Sequence, residues 1–152
     1  MGIKDDMKLL ARHEGEWEGE YIHVGVDGEV IDRHRSQLSC RFPTDDPDHA
    51  YRQINTYTWD DGREEVIDFP ASYDDGQIWF DTERIRGHAW EVDANTIVLT
   101  WVYKAQPDVY LYEMIQLSHD GVNRARTWHW FDNDRLVRRT LINERRTSPP
   151  PD

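Results

Sequence analysis

Cysteine is almost absent from this sequence. Cys40 is the only one in 152 residues, which excludes an internal disulfide and a cysteine-based zinc centre and fits a reducing cytoplasm. Positive charge is also scarce: 18 Lys and Arg stand against 30 Asp and Glu, for a formal net charge of −12. With no Lys/Arg run to offset it locally, that charge repels phosphate backbones and anionic lipid surfaces, so neither nucleic acid nor a membrane is expected as a partner. Long apolar runs are missing, and nothing is long enough to span a bilayer. The opening Met-Gly-Ile-Lys-Asp-Asp carries neither a secretory apolar region nor the Ser/Thr that a myristoylation signal wants. No nucleophile elbow, phosphate-binding glycine loop or metalloprotease helix occurs. A cytoplasmic setting is the expectation.

Aromatic residues are plentiful. Seven Trp, seven Tyr and an apolar share of 38% suffice for one core, so residues 1–146 read as a single domain and the tail "TSPPPD" (147–152) as a disordered end. Lys4 to Glu14 places Met7, Leu10 and Ala11 at helical spacing and stops at Gly15, which predicts a short N-terminal helix. The remainder reads as strands. "VDGE", "WDDGR", "YDDGQ", "VDANT", "SHDGV" and "FDNDR" are turn signals flanked by β-branched and aromatic residues, giving consecutive antiparallel hairpins of about eight to ten strands. So many strands with one helix must close into a barrel or fold into a sandwich to hide their edges.

"GEWEGEY", Gly15 to Tyr21, resembles the Gly-x-Trp opening of the lipocalin-like (calycin) barrels. The resemblance implies an all-β, antiparallel up-and-down barrel around a ligand cavity, with Trp17 plugging the closed base and an arginine from the end of the last strand, Arg145 or Arg146 of "NERR", packed on it. Antiparallel pairing of the first and last strands would bring these residues together.

Hairpin register sorts the faces. An Asp27-Gly28 turn sets His23 opposite Asp32, Tyr21 opposite His34 and Trp17 opposite Leu38, with Glu20 meeting Arg35 on the solvated side. "YRQINTYTW" adds Tyr51, Gln53, Asn55, Tyr57 and Trp59 to the inner wall. Turns at Ala94-Asn95, "AQPD", Asp120-Gly121 and Asn133-Asp134 run an inward row through His88, Trp101, Tyr112, His129 and Arg138. The other face of "RTWHWF" then points out, with Arg124, Arg126 and Arg139 beside Trp128 and Trp130, because three arginines on one wall are hard to desolvate. Trp17, Leu38, Ile97 and Ile142 form an apolar base.

The expected site therefore lies at the mouth. His23, Asp32, His129 and Arg138 are the candidate catalytic residues; Tyr21, His34, Tyr57, His88, Trp101, Tyr103 and Tyr112 are the candidate ligand-binding ones. His23 with Asp32 reads as an acid/base pair or as a hydrogen bond without chemistry. Arg138 reads as a grip for a carboxylate or phenolate, or as the partner of Asp68, Asp81 or Glu83. The aromatic row can stack a planar ligand or simply fill the barrel. No cofactor is implied and no metal, since register does not bring His23, His88 and His129 to one point. The leading expectation is a barrel binding a small planar, anionic aromatic or hydrophobic molecule. Second comes a cofactor-free lyase, decarboxylase or isomerase, of the kind known among calycin-like barrels such as the phenolic acid decarboxylases. A nitrobindin-like haem barrel comes third, against which stand Tyr21 in place of a glycine and the lack of a C-terminal histidine motif. A homodimer stays open.

Overall fold

A computed structural model describes residues 2–151. Two helical turns, α1 (Ile3–Asp6) and α2 (Lys8–Arg12), precede ten strands: β1 (Gly15–Gly25), β2 (Val30–Arg41), β3 (Tyr51–Thr58), β4 (Glu64–Asp74), β5 (Gln77–Asp81), β6 (Ile85–Glu91), β7 (Thr96–Tyr103), β8 (Gln106–Leu117), β9 (Asn123–Asp132) and β10 (Arg135–Arg146). Each strand pairs antiparallel with its chain neighbours, and β1 pairs with β10, closing the barrel. The expected all-β barrel with its helical N-terminus is the observed fold, although the single helix is divided at Met7.

The helical segment closes the base. Met7, Leu9 and Leu10 are buried, the Leu10 amide donates to Glu91 Oε2 at 2.7 Å, and Trp17 Nε1 donates to the His13 carbonyl at 2.9 Å. Trp17 and Arg146 are direct partners across the β1–β10 seam. The Arg146 guanidinium lies 4.2 Å from the Trp17 ring centroid, whereas Arg145 is exposed. Closure of the barrel thus sets the Gly-x-Trp tryptophan against the last arginine, and the guanidinium is further held by the carbonyls of Arg12, Glu14 and Gly121. In the tail, Thr147 N donates to the Glu16 carbonyl and the Ser148 hydroxyl accepts from the Glu16 amide, each at 2.8 Å; Asp152 lies outside the described residues.

The β1–β2 hairpin keeps the register its alternation dictates: Trp17 faces Leu38, Tyr21 faces His34, His23 faces Asp32 and Glu20 faces Arg35. Of the later hairpins, β8–β9 keeps its expected pair, Tyr112 opposite His129, while β6–β7, β7–β8 and β9–β10 shift. The β9–β10 turn is at Asn133-Asp134, both with positive φ as a type I′ turn demands. A bulge between Leu136 and Arg138 then moves the register by one, so that Trp130, not His129, faces Arg138. The β7–β8 ladder slips between Val102 and Tyr103 and pairs Trp101 with Leu111, and β6–β7 pairs Trp101 with Gly87. One residue of slip exchanges the two faces of a strand. Gly87 is required there, because a Cβ would overlap the Thr100 carbonyl and the Trp101 side chain.

Arg124, Arg126, Trp128 and Trp130 consequently point into the barrel and are buried, the reverse of the expected orientation. Two inward glutamates make this tolerable. Arg126 Nε donates to Glu113 Oε2 at 2.6 Å, Arg126 Nη1 donates to Glu144 Oε2 at 3.1 Å, and Arg124 Nε lies 3.3 Å from Glu144 Oε1. Two cations and two anions meet within hydrogen-bond reach, the condition for an ionic group to survive burial. The expected base residues Trp17, Leu38, Ile97 and Ile142 are all buried, and a charged layer that was not expected lies between the plugged base and the mouth.

Candidate functional site

Above this layer the barrel opens into a cavity of about 320 Å³. Tyr21 links the two levels: its hydroxyl accepts from Arg126 Nη1 at 3.0 Å while its ring stacks on His34, centroids 4.9 Å apart. The alternate residues of β3 form a continuous polar ladder, Tyr51 to Gln53, Gln53 to Asn55 and Asn55 to Tyr57, at 3.1, 3.3 and 2.7 Å. Burial raises the pKa of both Tyr21 and Tyr57, keeping these hydroxyls protonated. The opposite wall is aromatic: Phe69 stacks on Trp101 at 5.6 Å, Trp101 meets Trp128 edge-on at 5.9 Å, and Tyr103 stacks on Trp130 at 5.7 Å. Burial pushes the Tyr103 hydroxyl up to about 12.

Three ionisable groups gather on the β1–β2 side of the mouth. Asp32 Oδ2 accepts from His34 Nδ1 at 3.1 Å and from Trp59 Nε1 at 3.2 Å. Partial desolvation works against the Asp32 carboxylate, yet these two hydrogen bonds outweigh it and hold its pKa below the ordinary range. His23, although opposite Asp32 in register, turns its Nδ1 to Thr140 Oγ1 at 2.8 Å, and the same hydroxyl oxygen accepts the indole N–H of Trp130 at 2.8 Å. Burial, the Arg138 cation and His34 together lower the His23 pKa to about 4, so its ring is neutral at physiological pH.

Arg138 enters the same space from β10. Its guanidinium lies 4.3 Å from the Trp130 ring centroid, and among the described residues no carboxylate pairs with it, Asp68, Asp81 and Glu83 included. Burial lowers its pKa, opposed by Tyr103 and Asp32, but a guanidinium remains charged at neutral pH. Its Nε–H has no acceptor, nor has the indole N–H of Trp128. The Trp101 indole N–H, beside the Tyr103 hydroxyl, is likewise without an acceptor in bonding geometry.

Of the candidates read from sequence, Tyr21, His23, His34, Tyr57, Trp101, Tyr103 and Arg138 line this cavity, and Asp32 sits at its rim on His34. His88, Tyr112 and His129 do not. They lie on the outer surface: a three-residue turn after Val92, in place of a two-residue one, sets His88 opposite Thr100, and the β7–β8 and β9–β10 bulges separate Tyr112 and His129 from Trp101 and Arg138. His88 stacks between Trp79 and Trp90, Tyr112 packs against Tyr110 and Phe131, and His129 is exposed. Trp59, placed on the inner wall by the alternation of β3, also lines the cavity; Trp128, Trp130 and Thr140 were missed. The signal for Trp128 and Trp130 was present: Glu113 and Glu144 alternate with apolar Leu111, Ile115 and Ile142, which marks these glutamates as inward and supplies inward partners for Arg124 and Arg126.

No family model and no curated protein matches the sequence. Solved structures do match in fold. An S-type phycobiliprotein lyase, CPES from Guillardia theta, is 15% identical with a TM-score of 0.70, over 98% of this chain and 94% of that one. A protein of unknown function from the DUF3598 family of Nostoc punctiforme is 17% identical with a TM-score of 0.69, over 91% of this chain, which spans about half (49%) of that protein's length. Rv2717c from M. tuberculosis is 12% identical with a TM-score of 0.63, over 94% and 98% of the two chains. Among the described residues no helix is long and apolar enough to cross a membrane. With its closed ring of ten antiparallel strands, Gly-x-Trp opening and Trp17–Arg146 closure, the chain has the fold of a lipocalin-like (calycin) barrel.

Proposed function

We propose that the protein binds a small planar, anionic aromatic molecule in the mouth cavity, with Arg138 taking the anion. The carrying observation is Arg138 itself: a half-buried cation 4.3 Å from the Trp130 ring centroid, with no carboxylate partner among the described residues and an Nε–H that no acceptor fills. Leaving buried donors unpaired costs roughly 1–3 kcal/mol each, and a ligand oxygen in the cavity would recover that for Arg138 and Trp128. The aromatic wall supplies stacking area, and about 320 Å³ suits a one- or two-ring compound, at the lower end of small-molecule sites. A cytoplasmic setting with no nucleic-acid or membrane partner accords with the charge of −12 and the buried Cys40.

A thermal-shift screen of aromatic acids, phenols and fatty acids tests the ligand class. For a carboxylate hit, Arg138→Met should weaken binding of the acid far more than that of its methyl ester. Equal loss for both would make Arg138 structural, and stabilisation by fatty acids alone would end the planar-anion reading.

A second reading is favoured by one observation, the Asp32–His34 pair opening on the same space. A carboxylate that orients an imidazole and stabilises its protonated form is the arrangement of a general base. On this reading the bound compound is also transformed, as in a lyase or isomerase, and the phycobiliprotein lyase of like fold is consistent with it.

A further inference from the structure

We propose that His23, His34 and Asp32 form a binding site for a divalent transition-metal ion at the barrel mouth. One ring nitrogen from each histidine and one carboxylate oxygen lie within 4.8 Å of one another. They come from two paired strands: His34 and Asp32 are alternate residues on one face of β2, and His23 faces Asp32 from β1. Zinc bonds of about 2.0–2.1 Å would bring such donors to roughly 3.3 Å apart, so the three must close by about an ångström or more. Asp32 can supply that movement, its side chain being 38% exposed at the rim.

The surrounding hydrogen bonds suit coordination. His23 Nδ1 is held by Thr140, His34 Nδ1 by Asp32 Oδ2, and Trp59 also binds Oδ2. Coordination through His23 Nε2 would keep the Thr140 contact, an outer partner that holds the imidazole in place, whereas at His34 the ion would take the place of the Nδ1 proton and replace the hydrogen bond to Asp32 with a shared metal. Two imidazoles and one carboxylate suit Zn²⁺, Co²⁺ or Ni²⁺ rather than Mg²⁺ or Ca²⁺, which take oxygen donors. Three protein donors leave at least one coordination position, and the cavity is the open side. The nearby Arg138 cation opposes an added dication. Asp32 offsets one charge, and any anion entering the cavity would bridge the rest. The site does not depend on the organic ligand proposed above, and the metal alone tests it.

Chelator-treated wild-type protein is titrated with Zn²⁺ by calorimetry at pH 7.5, and with Co²⁺ by visible absorption. The expected result is one ion per chain, with His23→Ala and His34→Ala each weakening Zn²⁺ binding at least tenfold and the outward His129→Ala leaving it unchanged. Cooperative melting of each variant checks its fold. Should a variant not fold, imidazole nitrogen NMR of the wild type decides: the His23 and His34 signals, and no other histidine's, should shift at one equivalent of Zn²⁺. Absence of saturable stoichiometric binding, retention of affinity in His34→Ala, or shifts confined to other histidines would overturn the site.

Discussion

Asp32 bonds to His34, its neighbour two residues along the same strand, and not to His23, which faces it across the hairpin. Register made His23 the natural partner. Side-chain direction decided otherwise, because Thr140 on β10 captures the His23 ring from the other side. On the reading that the ligand is transformed, His34 is therefore the proposed base. Asp32→Asn should leave ligand affinity nearly intact and lower stability by about 1 kcal/mol, the worth of a partly exposed hydrogen bond. Turnover of a substrate that the wild type converts should fall, since an amide cannot stabilise the imidazolium. Melting, affinity and product formation on that one variant separate a structural pair, a carrier and a catalyst.

His23 gives the protein an acid-side dependence of known sign. Its folded pKa of about 4 lies below the ordinary value of 6.5, so between those limits the unfolded chain holds the extra proton and stability rises with pH. The stability is complete above about pH 6.5 and is lost as pH falls toward 4. With the ring only half-buried, solvent screening reduces the effect to on the order of 1 kcal/mol. Urea unfolding at pH 7 and pH 4.5 should show a smaller pH difference for His23→Gln than for the wild type.

Arg146 should prove one of the most costly polar residues to remove. It covers Trp17 and satisfies three backbone carbonyls, those of Gly121 at 2.9 Å, Glu14 at 2.6 Å and Arg12 at 2.5 Å. Arg146→Ala is expected to lower unfolding free energy by about 2–4 kcal/mol through stranded acceptors and lost packing. Arg145→Ala, one position away and exposed, should change it by less than about 0.5 kcal/mol. Denaturant midpoints of the two variants make the comparison.

The buried charge layer predicts a sharper asymmetry. Arg126→Met leaves Glu113 and Glu144 without their shared cation, a loss of about 3–5 kcal/mol for an uncompensated buried charge. Adding Glu113→Leu and Glu144→Gln should recover much of that loss, although each is costly alone. Unfolding curves of the single and triple variants test whether the network must be changed as a unit.

The first half of the barrel was legible because the alternation of its hairpin holds from Trp17 to His23, the bulge there falling beyond His23 next to the turn, and its solvated face declares itself through Glu20 and Arg35. That reading placed Trp17, Tyr21, His23, His34 and Tyr57 inside. The second half was legible only in part: β8–β9 kept its expected pair, whereas the bulges at Leu136/Arg138 and Val102/Tyr103 and the longer β6–β7 turn change which strand residue each position meets. No local composition announces them. Desolvation cost also misled when applied to Arg124 and Arg126 alone, since the deciding quantity was the pair of glutamates on the neighbouring strands. His129 and Tyr112 left the site for this reason, and Trp128 and Trp130 entered it.

The seam between β1 and β10 has a consequence for how the chain reaches its structure. Every other ladder joins strands adjacent in sequence and needs only a short loop to close, whereas this one joins residues nearly the whole domain apart. Its loop-closure entropy is the largest in the molecule unless the nine hairpin pairings have already drawn the ends together. Closure entropy alone predicts a curling meander whose last event is zipping of the first strand onto the last, with Trp17, Arg146 and the base plug solvated until that moment. Substitutions at this seam should accelerate unfolding while barely altering the refolding rate.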